Sequence, residues 1–166
     1  MSGYRFWKSE RGVAAVEFAL SAPFMILFFI SIADFGFVFH KEIQLSAALS
    51  AGAEYAFTQG QTETGSTLTT DVTGFVNKIS AVPLSSVSAS YNNGLSATSC
   101  YCENGAGASF SFTGPYTCGS ACTDGSGSTA GKYVSISAAF TYSPMFPSDQ
   151  IFYNASLSQS VLVRLQ

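Results

Sequence analysis

Four cysteines, one histidine and two carboxylates inside an apolar run are the residues of this 166-residue chain that most constrain its chemistry. The cysteines are Cys100, Cys102, Cys118 and Cys122. An even set this closely spaced reads as disulfides if the segment lies in an oxidising compartment. Joining Cys100 to Cys102 requires a strained ring, and at alternating strand positions their side chains share a face rather than meet. Two cross-loop bridges are expected: Cys100–Cys118 with Cys102–Cys122, or Cys100–Cys122 with Cys102–Cys118. Each closes a loop of roughly 15 to 25 residues, on the order of 3 kcal/mol of loop entropy. Four thiolates from CxC and CxxxC are also the raw material of a zinc site. Structural zinc prefers CxxC knuckles, however, and an oxidising compartment disfavours free thiolates. No metal is therefore assigned, and with no CxxC there is no redox pair.

The histidine, His40, stands beside Lys41 at the end of the apolar run, a place for an interfacial anchor rather than a base. No GxSxG nucleophile motif accompanies it. The glycine-rich stretches GAGASF and GSGSTAG follow no strand-then-helix pattern, and no lysine completes a phosphate loop. The chain is expected not to be an enzyme, with no catalytic residue, cofactor or small-molecule substrate. No basic patch is large enough to bind nucleic acid.

The two carboxylates are Glu17 and Asp34, the only charges between Val13 and Phe39. Charged residues make up 10% of the chain, against about 25% in an ordinary soluble domain, and mean hydropathy is +0.27. Low charge and positive hydropathy point to lipid contact. The uninterrupted apolar core, Phe18 to Ala33, falls a little short of the ~20 residues that span ~30 Å. Extending to Phe39 gives a transmembrane helix over 13–39, with Glu17 near one interface and Asp34 near the other, where charge is least costly. A soluble core helix would show a polar face. A cleaved signal peptide would be shorter and end in a small-x-small site, which SIADFG lacks. Pro23 inside the run removes one backbone bond and is expected to kink or locally open the helix.

Before the run, Arg5, Lys8 and Arg11 outweigh Glu10. Beyond residue 42, Lys78, Lys132 and Arg164 face six acids. That asymmetry orients residues 1–12 as a basic cytoplasmic leader and puts the remainder outside the cytoplasm. At the junction, Gly12 is followed five residues later by Glu17. An acid at the start of a lipid-facing helix calls for a partner. If the chain is cut after Gly12, the new amine of Val13 lies one turn from Glu17 on the same face. Otherwise Glu17 rests at headgroup level beside Arg11.

The elements that must position these residues follow from periodicity. Residues 40–57 continue the helix, with Ile43, Ala47, Ser50 or Ala51, and Glu54 on one face. The helix totals roughly 40 residues and breaks over Gly52 to Gly65. Thr69 to Ile79 forms a short amphipathic helix with Val72, Phe75, Val76 and Ile79 on one side. Residues 84–91 alternate as a strand, Asn92-Asn93-Gly94 signals a tight hairpin, and 95–101 is its partner strand. Residues 103–131 read as loop. Residues 133–142 and 156–165 are two further strands, separated by a proline-bearing stretch, 143–152, that must leave the sheet. The fold class is α+β: a long N-terminal transmembrane helix extending into a small extracytoplasmic domain (58–166). An antiparallel sheet of about four strands packs on the helix, with the disulfide-bearing loop at 100–122.

The segment RGVAAVEFALSAPFMILFFISIADFG, continued by HKEIQLSAALSAGAEYAF, resembles the N-terminus of TadE-type proteins, pseudopilins of the tight-adherence (Tad) pilus. YVSISAAFTYSPMF and NASLSQSVLVRLQ are similar to that family's C-terminal strands. The resemblance implies a pilin-like fold and cleavage by prepilin peptidase between Gly12 and Val13. It carries the acid at the fifth mature position onto Glu17. Where the family often has Tyr next, this chain has Phe18. The resemblance further implies a bacterial inner-membrane protein, single-pass, whose partners are other Tad pilins and their assembly machinery. Ala14, Ala15, Ala19 and Ala22 allow close helix contacts, and Glu17 would set subunit register. Two functions are carried forward: a minor pilin or pseudopilin, and a permanently anchored periplasmic docking module.

Overall fold

A computed structural model describes residues 10–63, 65–106, 109–123, 127–144 and 155–165. The leader before residue 10 and most of the stretch 143–152 lie outside them.

The first element, α1, runs Glu10–Gln59 and continues through Pro23. It is 50 residues long and ends at Gln59, inside the break expected over Gly52 to Gly65, with Gly52 itself still helical. Gly52 instead serves a close crossing with α2 (Gly65–Ile79): a Cβ at Gly52 would stand 2.5 Å from Val76 Cγ2. A glycine that looks like a helix breaker is here a notch for the neighbouring helix. The chain turns after Gln59, where the amides of Thr62 and Glu63 both donate to the Gln59 carbonyl. The second helix begins earlier than its periodicity indicated. It buries Leu68, Val72 and Val76 and leaves Ile79 exposed. Phe75 stacks on Tyr55 of α1, ring centroids 4.5 Å apart.

The single sheet of about four strands is corrected to two sheets. One has the order β1 (Ser86–Tyr91), β4 (Tyr133–Tyr142), β5 (Ala155–Arg164), antiparallel throughout. The other is the hairpin of β2 (Cys100–Ala106) and β3 (Ser109–Tyr116). In β4 the alternation holds as read: Val134, Ile136, Ala138, Phe140 and Tyr142 all turn inward and are buried. They close a core with Leu45, Leu49 and Ala56 of α1 and the apolar face of α2. The buried face of α1 is therefore that of Leu45, Leu49 and Ala56, while Ile43, Ala47 and Glu54 are exposed. On the sheet's other face Ser88, Ser137 and Ser160 stand abreast across the three strands. The Ser88 and Ser137 hydroxyls are 2.8 Å apart.

The expected hairpin at Asn92-Asn93-Gly94 is also corrected. These residues form one turn of 3-10 helix, with Asn92 and Asn93 at φ +48° and +54°. Asn92 is fully buried. Its amide donates to the carbonyls of Ser96 (2.9 Å) and Ser99 (3.3 Å), and its oxygen accepts the Tyr133 N–H (2.9 Å). The asparagine is spent on pinning a corner, and a two-residue hairpin turn would not let its side chain reach three backbone groups so far apart in sequence. The chain leaves the sheet there, and β1 pairs with β4 instead of residues 95–101. The reading of 103–131 as loop fails over β3, whose Ser-Phe-Ser-Phe-Thr alternation is a strand pattern set among glycines.

Candidate functional site

The junction residues all lie in the opening turns of α1. Gly12, Val13, Glu17 and Phe18 are exposed, and a Cβ at Gly12 would meet nothing within 4 Å. Val13 and Glu17, four residues apart on a continuous helix, share a face. Glu17 has no hydrogen bond or ion pair among the described residues. The Gly12–Val13 bond is itself helical, so an enzyme that cuts an extended peptide must first unwind that turn. Ala14, Ala15 and Ala19 are exposed too, and Ala22 is half-buried.

From there the helix stands alone. Phe24, Met25, Phe28 and Phe29 are each 60% or more exposed. The helix is long and apolar enough to cross a membrane. The domain first covers it fully at Asp34, whose side chain has no exposed surface. The Tyr142 hydroxyl, at the end of β4, sits 3.4 Å from both Asp34 Oδ1 and its carbonyl oxygen. Residues 13–33, the stretch the described domain leaves exposed, extend about 31 Å at ~1.5 Å per residue, the scale of a ~30 Å hydrocarbon core. Asp34, which in sequence reads only as a charge near an interface, faces protein. The sequence signal for this is slight: a carboxylate ending an apolar run, and a tyrosine 108 residues away.

Beyond Asp34 the helix is tied down by polar contacts. Gln159 of β5 donates to Glu42 Oε1 at 2.9 Å. His40 bonds Gln44 one turn along its own helix, 3.1 Å, and Lys41 reaches the same glutamine. His40 therefore sits in a helical side-chain ladder on α1.

At the far side of the domain the cysteines pair as Cys100–Cys118 and Cys102–Cys122, Cα atoms 5.0 and 5.8 Å apart. The first of the two cross-loop patterns is the one found, and all four sulfurs are used. Cys100, Cys102, Cys122 and Ala130 make a small cluster of their own, packed on Tyr116. Backbone pairs finish the job: Tyr101 and Gly131 exchange both hydrogen bonds, and Cys122 N–H donates to Ser128 O. The glycine-rich segment after β3 is thereby stapled beside β2. Burial pushes the Tyr91 hydroxyl above its ordinary pKa. At Tyr133 burial does the same, with Arg164 opposing and Glu103 adding to it.

Among the described residues, one apolar helix long enough to cross a membrane carries a small cystine-stapled α+β domain. The family described as TadE-like protein matches residues 12–54 of this chain. The match begins at Gly12 and ends within the covered part of α1, and it agrees with the resemblance read from the sequence. The match covers residues 12–54 alone, about a quarter of the chain. No curated protein and no solved structure matches the chain.

Proposed function

We propose that this chain is a pilin-like subunit, a minor pilin or pseudopilin, of a Tad-type pilus, and that it has no catalytic role. It waits in the bacterial inner membrane, N-terminus in the cytoplasm and domain in the periplasm, until prepilin peptidase cuts between Gly12 and Val13. Its partners are then other Tad pilins and the assembly machinery. The observation that carries this reading is the coincidence of the TadE-like match with a helix that is bare over 13–33 and capped from Asp34. A helix exposed on every side suits lipid first and a bundle of like helices afterwards. The unpaired Glu17 at its start has an obvious mate in the Val13 amine of a neighbour, which exists only after cleavage. Two disulfides suit an oxidising periplasm.

The N-terminal sequence and intact mass of the protein from its native membrane test this directly. A chain beginning at Val13 supports it. A chain that keeps the basic leader overturns it in favour of a fixed docking module, a reading favoured by the unbroken helix across the Gly12–Val13 bond. A chain beginning beyond Phe39 would make the helix an ordinary signal peptide. In a Glu17→Ala variant, normal amounts of processed protein with loss of surface piliation are expected. Unchanged piliation, scored by electron microscopy, would remove the register role.

A further inference from the structure

We infer that the cleft between the β2–β3 hairpin and the outer face of the three-stranded sheet binds one ring of a neutral saccharide. This goes beyond the pilin reading and does not depend on processing or assembly. The cleft measures about 170 Å³. That is below the ~300–1,000 Å³ of sites for drug-sized ligands and is the scale of a single ring.

Its two sides differ in chemistry. One wall carries Phe110 and Phe112, two residues apart on β3 and hence on one face of that strand. Phe112 is anchored, its ring 5.3 Å from that of Tyr133. Phe110 is half-buried and has no ring partner among the described residues. The floor is the hydroxyl face of the sheet: Ser135, Ser137 and Ser160, with Asn93 at the rim. Ser137 and Ser160 are direct cross-strand neighbours, so both hydroxyls rise from the same face of the sheet. Each serine hydroxyl retains capacity to accept or donate, even where Ser137 already meets Ser88.

That pairing selects a ligand class. Among the described residues no Asp, Glu, Lys, Arg or His lines the cleft, so an ionised ligand would lose water without gaining a counter-charge there. A lipid chain or aromatic ring would bury the serine hydroxyls unpaired. A peptide strand would seek a sheet edge, whereas the floor is a sheet face that offers side chains and not a ladder of backbone groups. A pyranose ring has an apolar C–H face for Phe110 and a rim of hydroxyls for the serines and Asn93. The two disulfides fix the hairpin base and so reduce what must be ordered on binding.

The test uses the full chain in detergent micelles, with saturation-transfer NMR and titration calorimetry. The probes are cellohexaose, chitohexaose and mannohexaose. Hexagalacturonate serves as the acidic comparator and tetra-alanine as the peptide comparator. At least one neutral probe is expected to bind in the millimolar range or tighter. Phe110→Ala should weaken it about tenfold. Ser160→Ala should weaken it by a few-fold, while Phe24→Ala, on the bare helix, leaves it unchanged. Both cleft variants are first checked for unaltered melting and intact disulfides, and Ser160→Ala serves if Phe110→Ala disturbs the hairpin. Three outcomes overturn the assignment: no neutral probe binds, binding survives both cleft substitutions at full strength, or a comparator binds equally well through the same residues.

Discussion

The two halves of α1 are made of similar residues and live in different worlds. Residues 13–33 and 34–59 are both rich in Ala and Phe, the second also carrying Asp34, Lys41, Glu42 and Glu54, and the helix is continuous across them. In the first half, side chains as large as Phe24 are 75% exposed. In the second, Leu45 and Ala56 have no exposed surface, because α2 and the sheet close over one face. Hydrophobicity therefore says that both halves leave water, but not into what. The first half is bare on every side, whereas the second buries the face of Leu45, Leu49 and Ala56 under its own chain and leaves Ile43 and Phe57 exposed.

Substitutions that shrink an apolar side chain separate the halves most sharply. Leu45→Ala should destabilise the domain by about 2–5 kcal/mol, transfer and cavity together. Phe24→Ala should leave domain stability within about 0.5 kcal/mol. Denaturant melts of the detergent-solubilised proteins read both, and equal effects would mean that the domain reaches further down the helix than Asp34.

The stapled segment behaves as a third region, with little core to sustain it. Replacing Cys102 and Cys122 together by Ser removes the more buried bridge and should cost about 3 kcal/mol. The expected sign of this is early proteolysis near residues 117–131, with α1 and α2 still protected. A uniform loss of protection would show that the staple supports the whole domain.

Asn92 joins that segment to the covered core. Asn92→Ala strips the partners from two carbonyls and from the Tyr133 amide and relaxes no apolar contact, a loss of about 1–3 kcal/mol. Hydrogen exchange at the Tyr133 amide should speed up first. An unchanged rate there would mean that water replaces the side chain without penalty.

The smallest effect is confined to alkaline pH. Tyr91 belongs to the covered core, and its hydroxyl has no hydrogen-bond partner among the described residues. Burial raises its folded pKa above the unfolded value of about 10. The neutral phenol's contribution is thus complete below about pH 10 and is lost as pH rises through the folded value. Tyr91→Phe should match the parent at pH 7 and outlast it above about pH 10. A melting curve series across that range checks the crossing, and parallel curves would remove Tyr91 from the alkaline transition.

Much of this fold was legible because local rules and tertiary outcome agreed. The apolar run follows from composition, while the alternation of β4 and, except at Ile79, the stripe of α2 follow from a period that burial then respected. The misreadings share one cause. Asn92 and the Ser-Phe alternation of β3 carry local signals that distant residues reinterpret: Tyr133 donates to Asn92, and the sheet face lies under the hairpin. The junction site stands differently again. Gly12, Val13 and Glu17 are read as a junction from their types, their spacing and the family resemblance, and the fold adds only that they are exposed and helical.

The sequence by itself determined that one helix must leave water, which end of it carries the basic residues, and that four cysteines offer two cross-loop pairings. Those are consequences of composition, period and spacing, which are properties of neighbours along the chain. Only the tertiary structure decided which pairing is made, where the domain begins to cover α1, and that a hairpin crosses a serine-lined face. Each depends on groups far apart in sequence, Asp34 and Tyr142 above all, whose meeting no local preference encodes.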